Sequence, residues 1–159
     1  MSELKALLFD VDGTLANTER DGHRVAFNRA FNDAGLDWHW SVDLYGWLLQ
    51  VTGGKERMRF FIEQRKPMIP AGVDVDNLII NLHAAKTAHY TQLLGEGLIP
   101  LRPGVEALLR EARASGMRMA IATTTTPENV TALLENTLGR ESIDWFEVIA
   151  AGDIVAHKK

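Results

Sequence analysis

Residues 4–8, Leu-Lys-Ala-Leu-Leu, form a short apolar run that leads into Phe9-Asp10-Val11-Asp12-Gly13-Thr14. A brief apolar stretch bounded by a glycine suits a buried strand of a parallel sheet. Such a strand does not end in two carboxylates unless something offsets their charge. Asp10 and Asp12 are two positions apart, so on an extended chain they share a face. Gly13 then lets the chain turn sharply. Carboxylates at the carboxyl end of a buried parallel strand occupy the place where open α/β sheets bind ligands. A hard divalent cation relieves their repulsion, and Mg²⁺ takes oxygen ligands of this kind. The bland reading, an acidic strand-to-loop junction, leaves the pair merely solvated.

The rhythm of the rest of the chain fits an α/β core with a helical insertion. After the first strand, residues 17–95 read as almost entirely helical. Val25, Ala26, Phe27, Ala30, Phe31 and Ala34 recur at helical spacing, and Gly35 closes that helix. A short helix follows from Ser41, a fitting N-cap, to Leu49. Another runs from Lys55 to Arg65, before Pro67, and a long one from Val75 to Leu94. Beyond Gly97 helix and strand alternate. The pattern predicts a helix over Pro103–Ser115 with Gly116 at its end, a strand over Met117–Thr123, a helix from Pro127 to Leu138, and a strand over Phe146–Ala151. Strand, helix, strand, helix, strand implies right-handed crossovers and a parallel sheet.

Composition narrows the function classes. The net charge of −4 gives no basic footprint for nucleic acid. The chain has no cysteine, which removes disulfides and a thiol nucleophile. No apolar run approaches the ~18 residues of a membrane span, and no signal-peptide pattern opens the chain. A cytoplasmic enzyme with no membrane partner fits. An anionic substrate then needs local cations rather than a global field.

Asp10-Val-Asp-Gly-Thr14 after an apolar strand resembles the first motif of the haloacid dehalogenase-like (HAD) hydrolases. Thr52-Gly-Gly-Lys-Glu-Arg57 and Ala122-Thr-Thr-Thr-Thr-Pro-Glu-Asn129 are similar to segments of the CbbY-like sugar-phosphate phosphatases. The resemblance covers essentially the whole chain. It implies a Rossmann-like parallel-sheet core made by residues 1–16 and 96–159, with a helical cap domain over 17–95. It also implies that Asp10 is the nucleophile that forms an aspartyl-phosphate, and that Asp12 is the general acid/base. Mg²⁺ would be held by Asp10 and the backbone carbonyl of Asp12. Thr123 matches the hydroxyl that holds the transferring phosphoryl group, and Thr124 would donate its N–H. Thr125 and Thr126 either meet substrate or cap the helix that Pro127 opens. The charge-offsetting lysine of the family corresponds to Lys159, with Lys158 next in order.

In the insertion, Gly53 and Gly54 free backbone N–H groups at a helix start that also carries Lys55 and Arg57. Lys55 offers a point charge and Arg57 a bidentate grip. In the subfamily this segment recognises the substrate end remote from the chemistry. Glu19 and His23 resemble the family's substrate-contacting and acid/base-positioning residues, and Tyr45 is a further contact of that type. Without the family these are ordinary solvated polar positions. Trp38, Trp40 and Trp47 pack cap helices on this reading, rather than stacking a base.

The resemblance points to a small phosphorylated sugar, with xylulose 1,5-bisphosphate as the substrate it favours. A phosphotransferase similar to β-phosphoglucomutase and a non-catalytic phosphate-binding remnant are the alternatives. The family's fourth motif, an acidic pair that completes the Mg²⁺ shell, has no counterpart in these residues. The expectation is therefore a core incomplete at its C-terminal end. The first strand then becomes an exposed apolar edge, inviting a dimer or strand exchange.

Overall fold

The structure, a computed structural model, describes residues 4–152. It divides into two compact units: the described parts of Met1–Asp21 with Leu93–Lys159, and Gly22–Gln92. The divisions fall inside a wide π-type helical turn, Thr18–His23, and inside the long helix Val75–Gly95.

The first unit is built on three parallel strands in the order β1 (Ala6–Phe9), β2 (Arg118–Ala122), β3 (Val148–Ala150). The register sets Phe9 opposite Ile121 and Ile121 opposite Ile149. Because side chains alternate along a strand, Phe9, Met119 and Ile121 fall on one face and are buried. Leu8 and Val148 fall on the other and are exposed, Leu8 by 72%. The ring of Phe146 meets Phe9 edge-on at 6.4 Å.

Helix α5 (Val105–Ala114) and helix α6 (Pro127–Leu138) make the crossovers, and a 3-10 turn, Arg140–Trp145, leads back to β3. The α6 helix runs over the expected residues. Thr126 is its N-cap, its hydroxyl accepting from Asn129 N, and Pro127 sits at the first helical position. The α5 helix starts two residues later than the sequence predicts. Gly104 occupies its N-cap at φ 86°, a conformation that breaks the helical path between Pro103 and Val105. The strands are also shorter than predicted: Ala6–Phe9 within residues 4–10, and Val148–Ala150 within 146–151. The 3-10 turn explains the late start of β3, since it holds the chain through Trp145.

The second unit is helical: α1 (Arg24–Asp33), α2 (Val42–Leu48), α3 (Gly54–Arg65) and most of α4 (Val75–Gly95). Its core is an aromatic cluster. Phe31 lies 5.4 Å from Trp38 and 4.9 Å from Trp40, and Trp40 lies 5.4 Å from Phe61, all edge-on. Such geometry favours the ring quadrupoles. Met58, Ile79 and Leu82 complete the cluster. Asn28 ties the loop to α1, since its amide group both donates to Trp40 O and accepts from Trp40 N. Trp38 and Trp40 thus pack helices as the sequence suggests, and Trp47, though 40% exposed, lays its ring from α2 against Phe60 and Arg65 of α3. Ser41 caps α2 through its hydroxyl, which accepts from Leu44 N.

Candidate active site

The loop that follows β1 is wound on one carbonyl. Val11 O accepts from the N–H groups of Thr14, Leu15 and Ala16 at 3.1, 3.0 and 3.3 Å. Gly13, at φ 78°, makes the reversal that this requires. Arg102 then clasps the loop from outside, its backbone N–H donating to Leu15 O at 2.8 Å and its guanidinium to Gly13 O. A rigid turn is the consequence, and both carboxylates ride on it.

Each carboxylate has a fixed oxygen. Asp10 Oδ1 accepts from Val11 N at 2.8 Å, and Asp12 Oδ1 accepts from Thr18 Oγ1 at 2.7 Å. Both acids are partly buried and Thr18 is fully buried. The Thr18 bond explains the wide turn Thr18–His23, which keeps Thr18 under Asp12 as the chain leaves the sheet. Helices open by a π-type turn recur at functional sites. Glu19 lies in this turn, partly buried.

The strand register brings the expected phosphoryl-binding segment to the same sheet edge. Phe9 pairs with Ile121, so Asp10 and Ala122 leave adjacent parallel strands together, and Thr123 follows. Thr123 is buried, its N–H donates to Ala150 O at 2.9 Å, and its Oγ1 accepts from Thr125 N at 3.3 Å. Thr124 is exposed beside it. Thr126 serves as the helix cap, and Thr125 Oγ1 accepts from Asn129 Nδ2 at 3.3 Å. Lys158 and Lys159, the expected charge-offsetting lysines, lie outside the described residues.

The donors at this edge are oxygens, the kind a hard cation such as Mg²⁺ takes. Among the described residues no group of three or more acidic, His or Cys side chains converges. Asp10 and the Asp12 carbonyl therefore fit Mg²⁺ in chemistry, with water left to complete the shell.

In the second unit the predicted residues gather around the start of α3. Gly53 is the N-cap at φ 93°. Arg57 and Tyr45 are both buried and joined to each other, Arg57 Nη1 donating to Tyr45 Oη at 2.9 Å. The bidentate grip of Arg57 closes on Val51 O, from Nε at 3.3 Å and Nη2 at 3.2 Å. These two residues brace the turn that presents Gly53, Gly54 and Lys55.

His23 sits under α4. Its ring stacks on Tyr90 at 3.9 Å, and Lys86 Nζ lies 2.9 Å from its Nδ1. An ammonium has only donors, so Nδ1 accepts and the imidazole proton resides on Nε2. Burial first, then the charges of Lys86 and Arg57, push the His23 pKa down to about 3. His23 is therefore neutral at physiological pH.

Lys86 and His83 escape the sequence reading, yet they share this cluster. His83, Lys86 and Tyr90 are spaced by three and four, one stripe of α4. That spacing of an imidazole, an ammonium and a phenol along one face was the available signal. Lys86 Nζ lies 5.3 Å from the Phe27 ring centroid and 5.2 Å from that of Tyr90, held by both π faces.

Comparison with known proteins places these motifs in a wider group. A family model described as haloacid dehalogenase-like hydrolase matches residues 4–159. Protein CbbY of Rhodobacter capsulatus is 52% identical over 157 residues, which are 99% of this chain and 66% of that protein. The chain thus spans somewhat less than two thirds of that relative's length. A mutant of CbbY from Rhodobacter sphaeroides, solved in complex with xylulose-(1,5)bisphosphate, superposes with a TM-score of 0.70 at 46% identity, over 99% of this chain and 67% of that one. A β-phosphoglucomutase homologue from Thermotoga maritima gives a TM-score of 0.68 at 23% identity, over 98% of this chain and 64% of that one, a likeness of fold alone.

Proposed function

From the premise that this chain belongs to the haloacid dehalogenase-like hydrolase family, we propose that the complete protein is a cytoplasmic, Mg²⁺-dependent phosphatase of a small sugar bisphosphate, with xylulose 1,5-bisphosphate as the favoured substrate. The observation that carries this reading is the carboxylate pair on the β1 turn. Asp10 is fixed by Val11 N–H and Asp12 by Thr18, at the sheet edge from which Thr123 also emerges.

In this mechanism a carboxylate oxygen of Asp10 attacks phosphorus, and the bond from phosphorus to the sugar oxygen breaks. Protonated Asp12 gives its proton to that leaving oxygen. The ionised Asp12 then takes a proton from water as the water cleaves the aspartyl-phosphate. Inorganic phosphate leaves and both acids return to their starting forms. The Thr18 hydroxyl holds Asp12 in place for both proton transfers, while Thr123 and the Thr124 N–H bind the phosphoryl oxygens. Asp10 and the Asp12 carbonyl would hold Mg²⁺, which when bound offsets the charge of those oxygens. Lys159, with Lys158 next to it, is the proposed lysine that shares this task. Gly53, Gly54 and Lys55 bind the remote phosphate, braced by Arg57 and Tyr45. Glu19 contacts substrate, and neutral His23 positions the acid/base.

The test is phosphate release from xylulose 1,5-bisphosphate by the complete protein, with Mg²⁺ and with the metal chelated. Turnover is expected only with Mg²⁺, and Asp10→Asn abolishes it. Mg²⁺-dependent release that survives in Asp10→Asn overturns the mechanism.

A further inference from the structure

His83 belongs to none of the roles above, yet it is built into the segment read as the remote phosphate site. A Cβ placed on Gly54 would lie 2.9 Å from His83 Cδ2, 3.1 Å from His83 Nε2 and 3.3 Å from the Phe27 ring. The edge of the imidazole therefore lies directly on the Gly54 backbone at the first position of α3, and no side chain fits between them. Gly54 has no left-handed φ, so a side chain there would be opposed only by this close approach of the imidazole and the Phe27 ring.

The groups that face His83 come from two helices. Lys86 lies three residues on, along the same face of α4, and Lys55 and Glu56 come from the first turn of α3. From α1 the neighbour is the uncharged ring of Phe27. Burial, then Lys86, then Lys55 lower the His83 pKa below its ordinary value, against an opposing pull from Glu56. The free protein thus keeps a neutral imidazole between two lysines. A phosphate dianion bound at Lys55 would reverse the sign of the local charge, and an imidazole that is neutral beside cations is charged beside an anion.

We propose that His83 is a specificity-determining residue of the cap: seated on Gly54 between Lys55 and Lys86, its imidazole takes one proton from solvent when a phosphate dianion binds there, and donates a hydrogen bond to it. The inference rests on the reading of this segment as the remote phosphate site. A sugar bisphosphate, carrying a second dianion, gains from the added charge, and a monophosphate that leaves the segment empty does not. Glu56, folded back over Gly53, offsets part of the lysine charge.

The experiment is nitrogen NMR of the imidazole rings at pH 7, with His83→Asn to assign the His83 signals, during titration with xylulose 1,5-bisphosphate in the absence of divalent metal. A neutral ring in the free protein that becomes an imidazolium at saturation supports the proposal. In support as well, His83→Asn should weaken bisphosphate binding about tenfold, Gly54→Ala should weaken it similarly by displacing the ring, and the two together should weaken it no further than either alone. Saturable binding, seen in the backbone signals, with a His83 ring that stays neutral overturns the inference and leaves the phosphatase reading standing. No binding at millimolar bisphosphate, with the protein folded, overturns the inference, and the phosphatase reading is then decided separately by the Mg²⁺-dependent release of phosphate.

Discussion

Thr18 Oγ1 donates to Asp12 Oδ1 at 2.7 Å from a fully buried position, so the carboxylate proposed as the acid/base is held by a residue on the far side of its own loop. Hydrogen bonds to charged groups contribute ~1.5–3 kcal/mol. Replacing the hydroxyl by a methyl, in Thr18→Val, keeps the shape and removes the bond. We expect kcat of the complete protein to fall at least about tenfold, since ~1.4 kcal/mol corresponds to a factor of ten. KM should change little, and Thr18→Ser should recover most of the rate. Steady-state kinetics of the three proteins checks this, and an unchanged kcat in Thr18→Val removes Thr18 from the mechanism.

His23 predicts a pH dependence of stability. Its folded pKa of about 3 lies below the ordinary 6.5. Between those values the unfolded chain binds a proton that the native protein refuses, so stability falls as pH drops through that window. The limiting slope is ~1.4 kcal/mol per pH unit for one such group. Above pH ~6.5 the contribution of His23 is complete and flat. His83, also lowered, adds to the same trend. Urea unfolding at pH 5.0 and 6.5 should show a clear loss at the lower pH, and His23→Gln should reduce that loss. A His23 ring that titrates near pH 6.5 by NMR contradicts the assignment.

The aromatic cluster of the helical unit sets its stability. Phe31 is fully buried and touches Trp38, Trp40 and Phe27. Truncating a buried Phe to Ala costs ~3–5 kcal/mol through lost transfer energy and the cavity left behind. Phe31→Ala should therefore unfold this unit at a markedly lower temperature, measured by circular dichroism of the helical signal. Phe31→Leu should lose less than half as much.

Where local chemistry decides, the sequence reads true. Pro127 after four threonines marks the start of α6, because cap and first-turn signals act within the element. Ser41 capped α2 for the same reason. The start of α5 was hidden, since Pro103 suits a helix start but Gly104 adopts a left-handed conformation first. The wide turn Thr18–His23 depends on the bond from Thr18 to Asp12, six residues away, and no periodicity reports that. The pairing of Arg57 with Tyr45 was equally hidden, because an arginine in a glycine-rich helix start reads as solvated. Burial of a charge is a tertiary fact. Lys86 was missed because its partner His23 lies sixty-three residues earlier in the chain.

The uncovered face of the sheet carries the last prediction. Among the described residues β1 pairs with β2 alone, and Leu8 in its middle is 72% exposed beside Val148 at 58%. An apolar strand open at its edge and on one face is a template for a second strand. The 159-residue chain should therefore self-associate as concentration rises. Leu8→Lys places a charge on that strand without touching the buried face of Phe9, and it should shift the chain towards monomer. Light scattering over a hundredfold concentration range decides the matter. A wild-type chain that stays monomeric throughout, with Leu8→Lys indistinguishable from it, removes β1 as an association surface.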